Sequence, residues 1–319
     1  MGWWLIGADT LAGGRFVVSP LAETTASLLA LAKGTAAHPA GQRWLDAHLP
    51  AYRARLDPVT ALLVHAALGQ EWLADFCTPP PAEEERTFAE ELEVVRRTPG
   101  ERALADVAVS MRGTLPAGLD RPDLPERLAG LLEWVWTHTV LPEWPRRRRV
   151  IEADIVARTA RLGQGGWAAV LDGLRPGMRW LGGGRLRMNA NDYPPREISG
   201  ARLLFVPVTP DHAWVTWDEP RRYAVVYPCS GVLAEPDRRA AEPGPLDRLL
   251  GAGRARVLVL LDAPKSTTQL VALTGQGLGS VGRHLKVLLD ARLVGRRRAG
   301  RSVLYYRTEA GEALIQAQQ

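Results

Sequence analysis

The chain has 319 residues, 46% hydrophobic and 24% charged, with a formal net charge of +5. These proportions match a soluble globular protein and exclude a disordered or fibrous chain. At roughly 150 residues per domain the length suggests two domains, and the only two cysteines, Cys77 and Cys229, exclude a disulfide scaffold.

The opening run Met1-Gly2-Trp3-Trp4-Leu5-Ile6 has no basic segment before its short apolar stretch, which argues against a secretory signal. No apolar stretch approaches the ~18 residues that span a bilayer. A cytoplasmic location, with no membrane partner, is the simplest expectation. Ser19-Pro20 reads as an N-cap followed by the first helical residue, opening a helix that Lys33-Gly34 ends. Further helices are expected near Pro39–His48 and over Pro58–Leu73. Three consecutive prolines in Asp75–Pro81 break the pattern. Phe88, Leu92 and Val95 mark one amphipathic helix, and Leu104, Val107, Ala108 and Met111 another. Pro116–Pro125 reads as a loop, with helices following over Leu128–Val140 and Pro145–Leu162.

The character changes at Gly163–Gly166. Arg185–Met188, Arg202–Val208, Ala213–Trp217 and Tyr223–Tyr227 are short runs separated by Gly, Pro and Asp, and read as strands. Pro236–Pro245 is a polar, Pro-rich linker and marks a domain boundary. The expected organisation is α+β: a large, mostly helical N-terminal domain over 1–240, helical to about 165 and strand-rich over 180–230, and a small C-terminal domain over 246–319.

The charge is unevenly placed. From Leu246 to Gln319 there are twelve Lys and Arg against five Asp and Glu, a net +7, while the other 245 residues carry a net −2. A basic segment on a near-neutral body points to a polyanionic partner. Within it, Leu246–Leu261 is expected to be a helix, stopped by Asp262-Ala263-Pro264. Ser266-Thr267 caps a short helix over Thr268–Leu273. After a turn at Gly275, a second helix runs from about Leu278 to Ala291 with Val281, Leu285, Leu288 and Leu289 inward. Leu293–Arg298 and Ser302–Tyr306 read as two strands of a hairpin that projects arginine, and Thr308–Gln316 as a closing helix. This is the layout of a winged helix-turn-helix.

Ser280, Arg283 and Lys286 fall at i, i+3 and i+6, opposite the apolar stripe of the second helix. An arginine there can pair with guanine O6 and N7 in the major groove. Lys286 and the hairpin residues Arg296, Arg297, Arg298 and Arg301 suit phosphates, with one arginine reaching the minor groove. His284 is expected to pack or to touch the DNA backbone. Double-stranded DNA is the expected partner, read by a homodimer, since one helix reads few base pairs.

The run Val281-Gly282-Arg283-His284-Leu285-Lys286-Val287-Leu288, then Leu293-Val294, then Gly300-Arg301-Ser302-Val303-Leu304-Tyr305-Tyr306, resembles the winged helix of the ArsR-type bacterial transcription regulators over about 60 residues. Gly282 stands where that pattern has a serine, and Arg292 where it has a glycine. The segments Ser19–Thr24, Asp75–Pro81, Trp144–Asp154 and Leu203–Pro207 resemble the large N-terminal domain carried by actinobacterial regulators of this kind. The resemblance implies a regulator, by default a repressor, and names no ligand.

Metal sensors of that family use Cys and His pairs, and Ser266–Thr274 contains neither, so no metal or cofactor is expected. His38, His48, His65, His138 and His212 are scattered and read as ordinary polar residues. All eleven tryptophans lie in the first 217 residues. Most suit core packing; Trp134, Trp136 and Trp144 are the first candidates for an aromatic pocket that takes a small-molecule effector. The run Arg146–Arg149 reads as a solvated helix face, with a second phosphate contact as the alternative. No GxSxG, HExxH, Walker loop or CxxC occurs, and Gly275-Gln276-Gly277-Leu278-Gly279 is not GxGxxG. No catalytic residues are expected. A DNA-binding protein without effector, and an enzymatic N-terminal domain tethered to DNA, remain the alternatives.

Overall fold

The computed structural model describes the chain apart from residues 1, 37–38, 70–71, 114, 173, 176, 189–193, 230–244, 262–263, 275, 300–301 and 317–319, and describes the backbone alone at 39, 40, 164, 268, 272, 299 and 302. Helices and small sheets are mixed in an α+β chain. It divides into two compact units, one of Met1–Ile151 with Ala160–Leu233, the other of Glu152–Thr159 with Ala234–Gln319. The expected linker lies almost wholly outside the described residues.

In the first unit, helix α1 (Ala8–Ala12) lies between strands β1 (Trp3–Leu5) and β2 (Arg15–Phe16). Helix α2 (Pro20–Lys33) begins as the sequence indicates. Ser19 Oγ accepts from the Ala22 amide, Pro20 occupies the first turn, and Gly34 closes the helix at φ 68°. Nearly every α2 side chain is buried, because the helix serves two cores. Leu21, Leu28 and Leu31 face a helical cluster. The small Ala22 and Ala26 let a sheet come close on the other side.

The helical cluster is completed by α3 (Pro39–Arg55), α4 (Pro58–Ala67), α5 (Phe88–Arg96), α6 (Gly100–Ser110) and α7 (Leu124–Val135). Thr87 and Glu90 form a reciprocal capping box at the start of α5. Leu28, Leu63 and Leu132 are fully buried, so truncating any of them to alanine should cost about 2–5 kcal/mol. Three helix boundaries differ from expectation. α4 stops at Ala67, where Leu68 bridges to Leu73 and the Ala74 amide returns to Ala67. α7 starts before the predicted loop ends, since Pro125 is tolerated in a first turn. It then gives way to a π turn over Trp136–Val140. α8 (Trp144–Leu171) passes through the glycines at 163–166 with one non-helical residue, Gly166.

A four-stranded sheet has the order β2-β6-β8-β7, with β6 (Arg202–Val208), β7 (Trp214–Asp218) and β8 (Arg222–Pro228). β2, β6 and β8 are parallel, and β7 is an antiparallel edge strand. Leu203, Phe205, Val225 and Tyr227 pack into one core and Leu204, Val206, Ala224 and Val226 into the other. Burial on both faces explains why β6 and β8 read as continuous apolar runs. A second sheet has the order β3-β4-β1-β5, with β3 (Arg179–Gly182), β4 (Arg185–Arg187) and β5 (Arg196–Glu197). β1, β2, β3 and β5 are not expected from the sequence. Each is two to four residues long, too short to show alternation, and exists only through its pairing with other strands.

In the second unit the expected single helix over 246–261 is two, α9 (Pro245–Leu250) and α10 (Ala252–Leu260), parted by Gly251 at φ 81°. A residue with a Cβ rarely adopts that backbone. α11 (Thr267–Thr274) is opened by a capping box: the Ser266 amide donates to Gln269 Oε1 and the Gln269 amide to Ser266 Oγ. α12 (Leu278–Asp290) follows, then β10 (Val294–Ala299), β11 (Ser302–Arg307) and α13 (Glu309–Gln316). Val257, Leu258, Leu270, Val281, Leu285, Leu288 and Val294 form one core. A strand not expected from sequence, β9 (Lys265–Ser266), pairs with β11 to make a three-stranded sheet of order β10-β11-β9.

Candidate functional site

α12 buries Val281, Leu285 and Leu288 and leaves Arg283, Lys286 and Val287 exposed on the other side. Three buried residues within two turns leave a broad outer face, and Arg283 sits near its centre. Ser280 is half-buried, its hydroxyl 3.5 Å from His284 Nε2. His284 does not share the exposed face. Its ring lies over Gly253 of α10, where a Cβ would come within 2.5 Å of Nε2. The missing side chain of Gly253 makes the seat, so His284 is a packing residue.

The β10–β11 hairpin pairs Arg296 with Tyr305, Arg297 with Leu304 and Arg298 with Val303. Side chains alternate along a strand. Arg296 and Arg298 therefore leave one face and Arg297 the other, and all three are exposed. Among the described residues, Arg283, Lys286, Arg296, Arg297 and Arg298 have no acidic partner. Arg301 lies outside the described residues. Arg307 behaves differently. Its guanidinium donates to the carbonyls of Leu258 and Val259 at the end of α10 and pairs with Glu312 at 3.0 Å. A cation there meets the negative end of the helix dipole.

The N-terminal arginine run is not a solvated face. Arg147 is buried, 3% exposed, and donates to Glu23 at 2.8 Å, to Glu143 at 3.0 Å and to Ser27 at 3.0 Å. Its guanidinium also lies 5.1 Å from the Trp44 ring centre. Glu23 is fully buried and accepts the Thr209 amide at 2.7 Å as well. Arg148 pairs with Glu85 at 2.6 Å.

Trp134, Trp136 and Trp144 pack against the helical core. Trp136 stacks on Phe88 at 4.6 Å and meets Trp144 edge-on at 5.3 Å, while Trp134 stacks on His138 at 5.0 Å. A cavity of about 1730 Å³ opens elsewhere in the same unit, lined by Trp3, Trp4, Trp72, Trp214 and Trp217. It wraps the β7 edge, so Trp214 and Trp217 reach it although they leave opposite faces of their strand. The sequence signal for it is the tryptophan excess; what the sequence lacks is the sheet order that makes β7 an edge.

Buried titratable groups belong to the first unit. Burial pushes the Glu91 carboxyl up to about 7, although the Leu21 amide and Ser19 hydroxyl bond to it. Burial and the neighbouring Asp106 raise Asp75, on the cavity wall, to about 6. Burial, then Lys33, lowers His212 on the same wall to about 4. Among the described residues, no group of three or more His, Cys, Asp or Glu side chains is arranged to hold a metal ion. No helix among them is long and apolar enough to cross a membrane.

Residues 10–122, about a third of the chain, match a family of unknown function, DUF5937. No curated protein and no solved structure matches the chain.

Proposed function

We propose that this chain is a sequence-specific DNA-binding transcription regulator. Residues 246–319 act as a winged helix-turn-helix, with α11 and α12 as the helix pair and β10–β11 as the wing. The observation that carries this reading is the set of five exposed cations without acidic partners on consecutive elements, Arg283 and Lys286 on α12 and Arg296, Arg297 and Arg298 on β10. Leaving so many cations uncompensated has no role in the stability of a small unit. It fits a polyanion, because each neutralised phosphate releases counterions.

α12 enters the major groove, and Arg283 reads a guanine edge through two parallel hydrogen bonds. Lys286 holds a phosphate. The hairpin arginines, leaving both faces of the ribbon, meet the phosphates that flank the neighbouring minor groove. The protein works in the cytoplasm as a homodimer, each copy reading one half-site, and represses by occupying a promoter. The first unit senses a small molecule and biases the dimer between spacings that fit and do not fit DNA.

Selection of tight binders from a random duplex pool with the full chain tests the reading. An inverted repeat with half-sites about one helical turn apart is expected. A pool that stays unenriched would overturn it.

A further inference from the structure

Three buried donors in the first unit have no hydrogen-bond partner: the Tyr52 hydroxyl, the Trp214 indole Nε1 and Arg175 Nε. They come from α3, from the start of β7 and from the loop after α8, and all three side chains line the tryptophan-walled cavity. Tyr52 is 3% exposed and Trp214 7%. More than nine in ten buried polar groups in folded proteins are paired, and each that is not costs about 1–3 kcal/mol. Three on one cavity wall form a set.

The chemistry of the set is one-sided. An indole N–H and a guanidinium only donate, and a phenol hydroxyl can. Arg175 is mostly buried with no acid facing it; its basicity is lowered by burial alone. An uncompensated buried cation is strongly unfavourable by itself. The rest of the wall leans the same way. Lys33, Arg53, Arg112 and Arg196 add four cations. Three acids oppose them: Asp75, which burial holds toward its neutral form; Glu197, occupied by the Ser199 amide; and Asp211.

The remainder of the lining is flat and apolar. Trp72 and Trp217 meet edge to face at 5.5 Å, and the Arg196 guanidinium sits 4.0 Å from the Trp217 ring centre. Such a wall offers faces and edges to another planar ring. The volume, about 1730 Å³, exceeds the ~300–1,000 Å³ that serves drug-sized ligands.

We propose that this cavity binds a planar aromatic anion, its rings against the tryptophans and its carboxylate or sulfonate on Arg175, with Tyr52 and Trp214 donating to the same group. The inference deepens the proposed regulator by giving its effector a chemical class, and only the effect on DNA rests on that reading.

The test uses two fluorescent probes with the same ring body, anionic 8-anilinonaphthalene-1-sulfonate and neutral N-phenyl-1-naphthylamine, titrated into the full chain without DNA. The sulfonate probe should bind at one saturable site per chain. Arg175→Met should weaken it at least about tenfold, the equivalent of one lost charge-assisted hydrogen bond, and leave the neutral probe within about twofold. Tyr52→Phe, nearly isosteric, should weaken the sulfonate by several-fold with an unchanged melting temperature, and decides the matter if Arg175→Met does not fold. Absence of a saturable site, unchanged sulfonate affinity in the folded variants, or equal loss for both probes would overturn the proposal. Because DNA is left out, failure here is separate from failure of DNA binding. Adding the sulfonate probe to the DNA complex then reads the effector role by itself.

Discussion

Two arginine runs in this chain have opposite fates. Arg146–Arg149 opens α8, and its second member is sunk between Glu23, Ser27 and Glu143. Arg296–Arg298 lies on β10, fully displayed and without acidic partners among the described residues. Composition does not separate them; geometry does. Four consecutive residues on a helix point in four directions 100° apart, so one of them must turn inward. Here Glu23 and Ser27, one turn apart on α2, meet it. Three consecutive residues on a two-stranded ribbon alternate between two faces, and both are open here. A charge run is a candidate nucleic-acid contact only where its counter-charges are missing.

The contrast is open to direct attack. The largest effect should come from Arg147→Met, which strands Glu23 as a buried unpaired charge. It should cost about 3–5 kcal/mol in urea unfolding, and a loss below about 1 kcal/mol would show that the pair is not buried as described. Replacing both partners, Glu23→Gln with Arg147→Met, should recover most of the loss.

Glu91 sharpens the same point through pH. Its folded value, about 7, lies above the ordinary 4.5, so the folded state holds a proton that the unfolded state has lost. That contribution is complete below about 4.5 and disappears as pH rises through about 7. Glu91→Gln keeps an acceptor for Ser19 and Leu21, and should raise stability at pH 8 by about 2–3 kcal/mol with little effect at pH 5. Equal effects at both pH values would contradict the assignment.

At the exposed end the effects are smaller and concern binding. Arg283→Ala should cost about 1–3 kcal/mol on the selected duplex and relax preference at one base position; binding and preference both unchanged would place the reading face elsewhere. The smallest effect belongs to Arg292, whose φ of 57° suits glycine. Arg292→Gly should raise the melting point of the intact chain slightly, by the equivalent of about 0.5–1 kcal/mol. A lower melting point would mean that the arginine side chain contributes more than its backbone costs.

Much of this is legible in the residues. The caps at Ser19-Pro20 and Gly34, the apolar runs of β6 and β8, and the α11–α12 and β10–β11 series announce themselves through local chemistry. Arg283 and Lys286 stand out because a helix puts i and i+3 on one side. What stays hidden depends on partners distant in sequence. β1 and β5 exist only because they pair with each other and with β4. His284 looks like a DNA contact because its seat, the bare backbone of Gly253, is on another helix. Arg147 looks solvated because Glu23 lies 124 residues away. Trp134, Trp136 and Trp144 suggest a pocket by their closeness in sequence, yet Trp136 and Trp144 come together against Phe88. The cavity gathers tryptophans from both ends of the first 217 residues, and Tyr52 and Arg175 carry no sequence signal at all.

The most direct test of the central claim is the salt dependence of DNA binding by the full chain, followed by fluorescence anisotropy on the selected duplex. Wild type and the triple variant Arg296→Ala, Arg297→Ala, Arg298→Ala are compared. If these arginines meet phosphates, the slope of log affinity against log salt should become shallower by about 2 in the triple variant, with the melting temperature unchanged. Identical slopes would contradict the account and leave the exposed arginines of β10 without a partner in DNA.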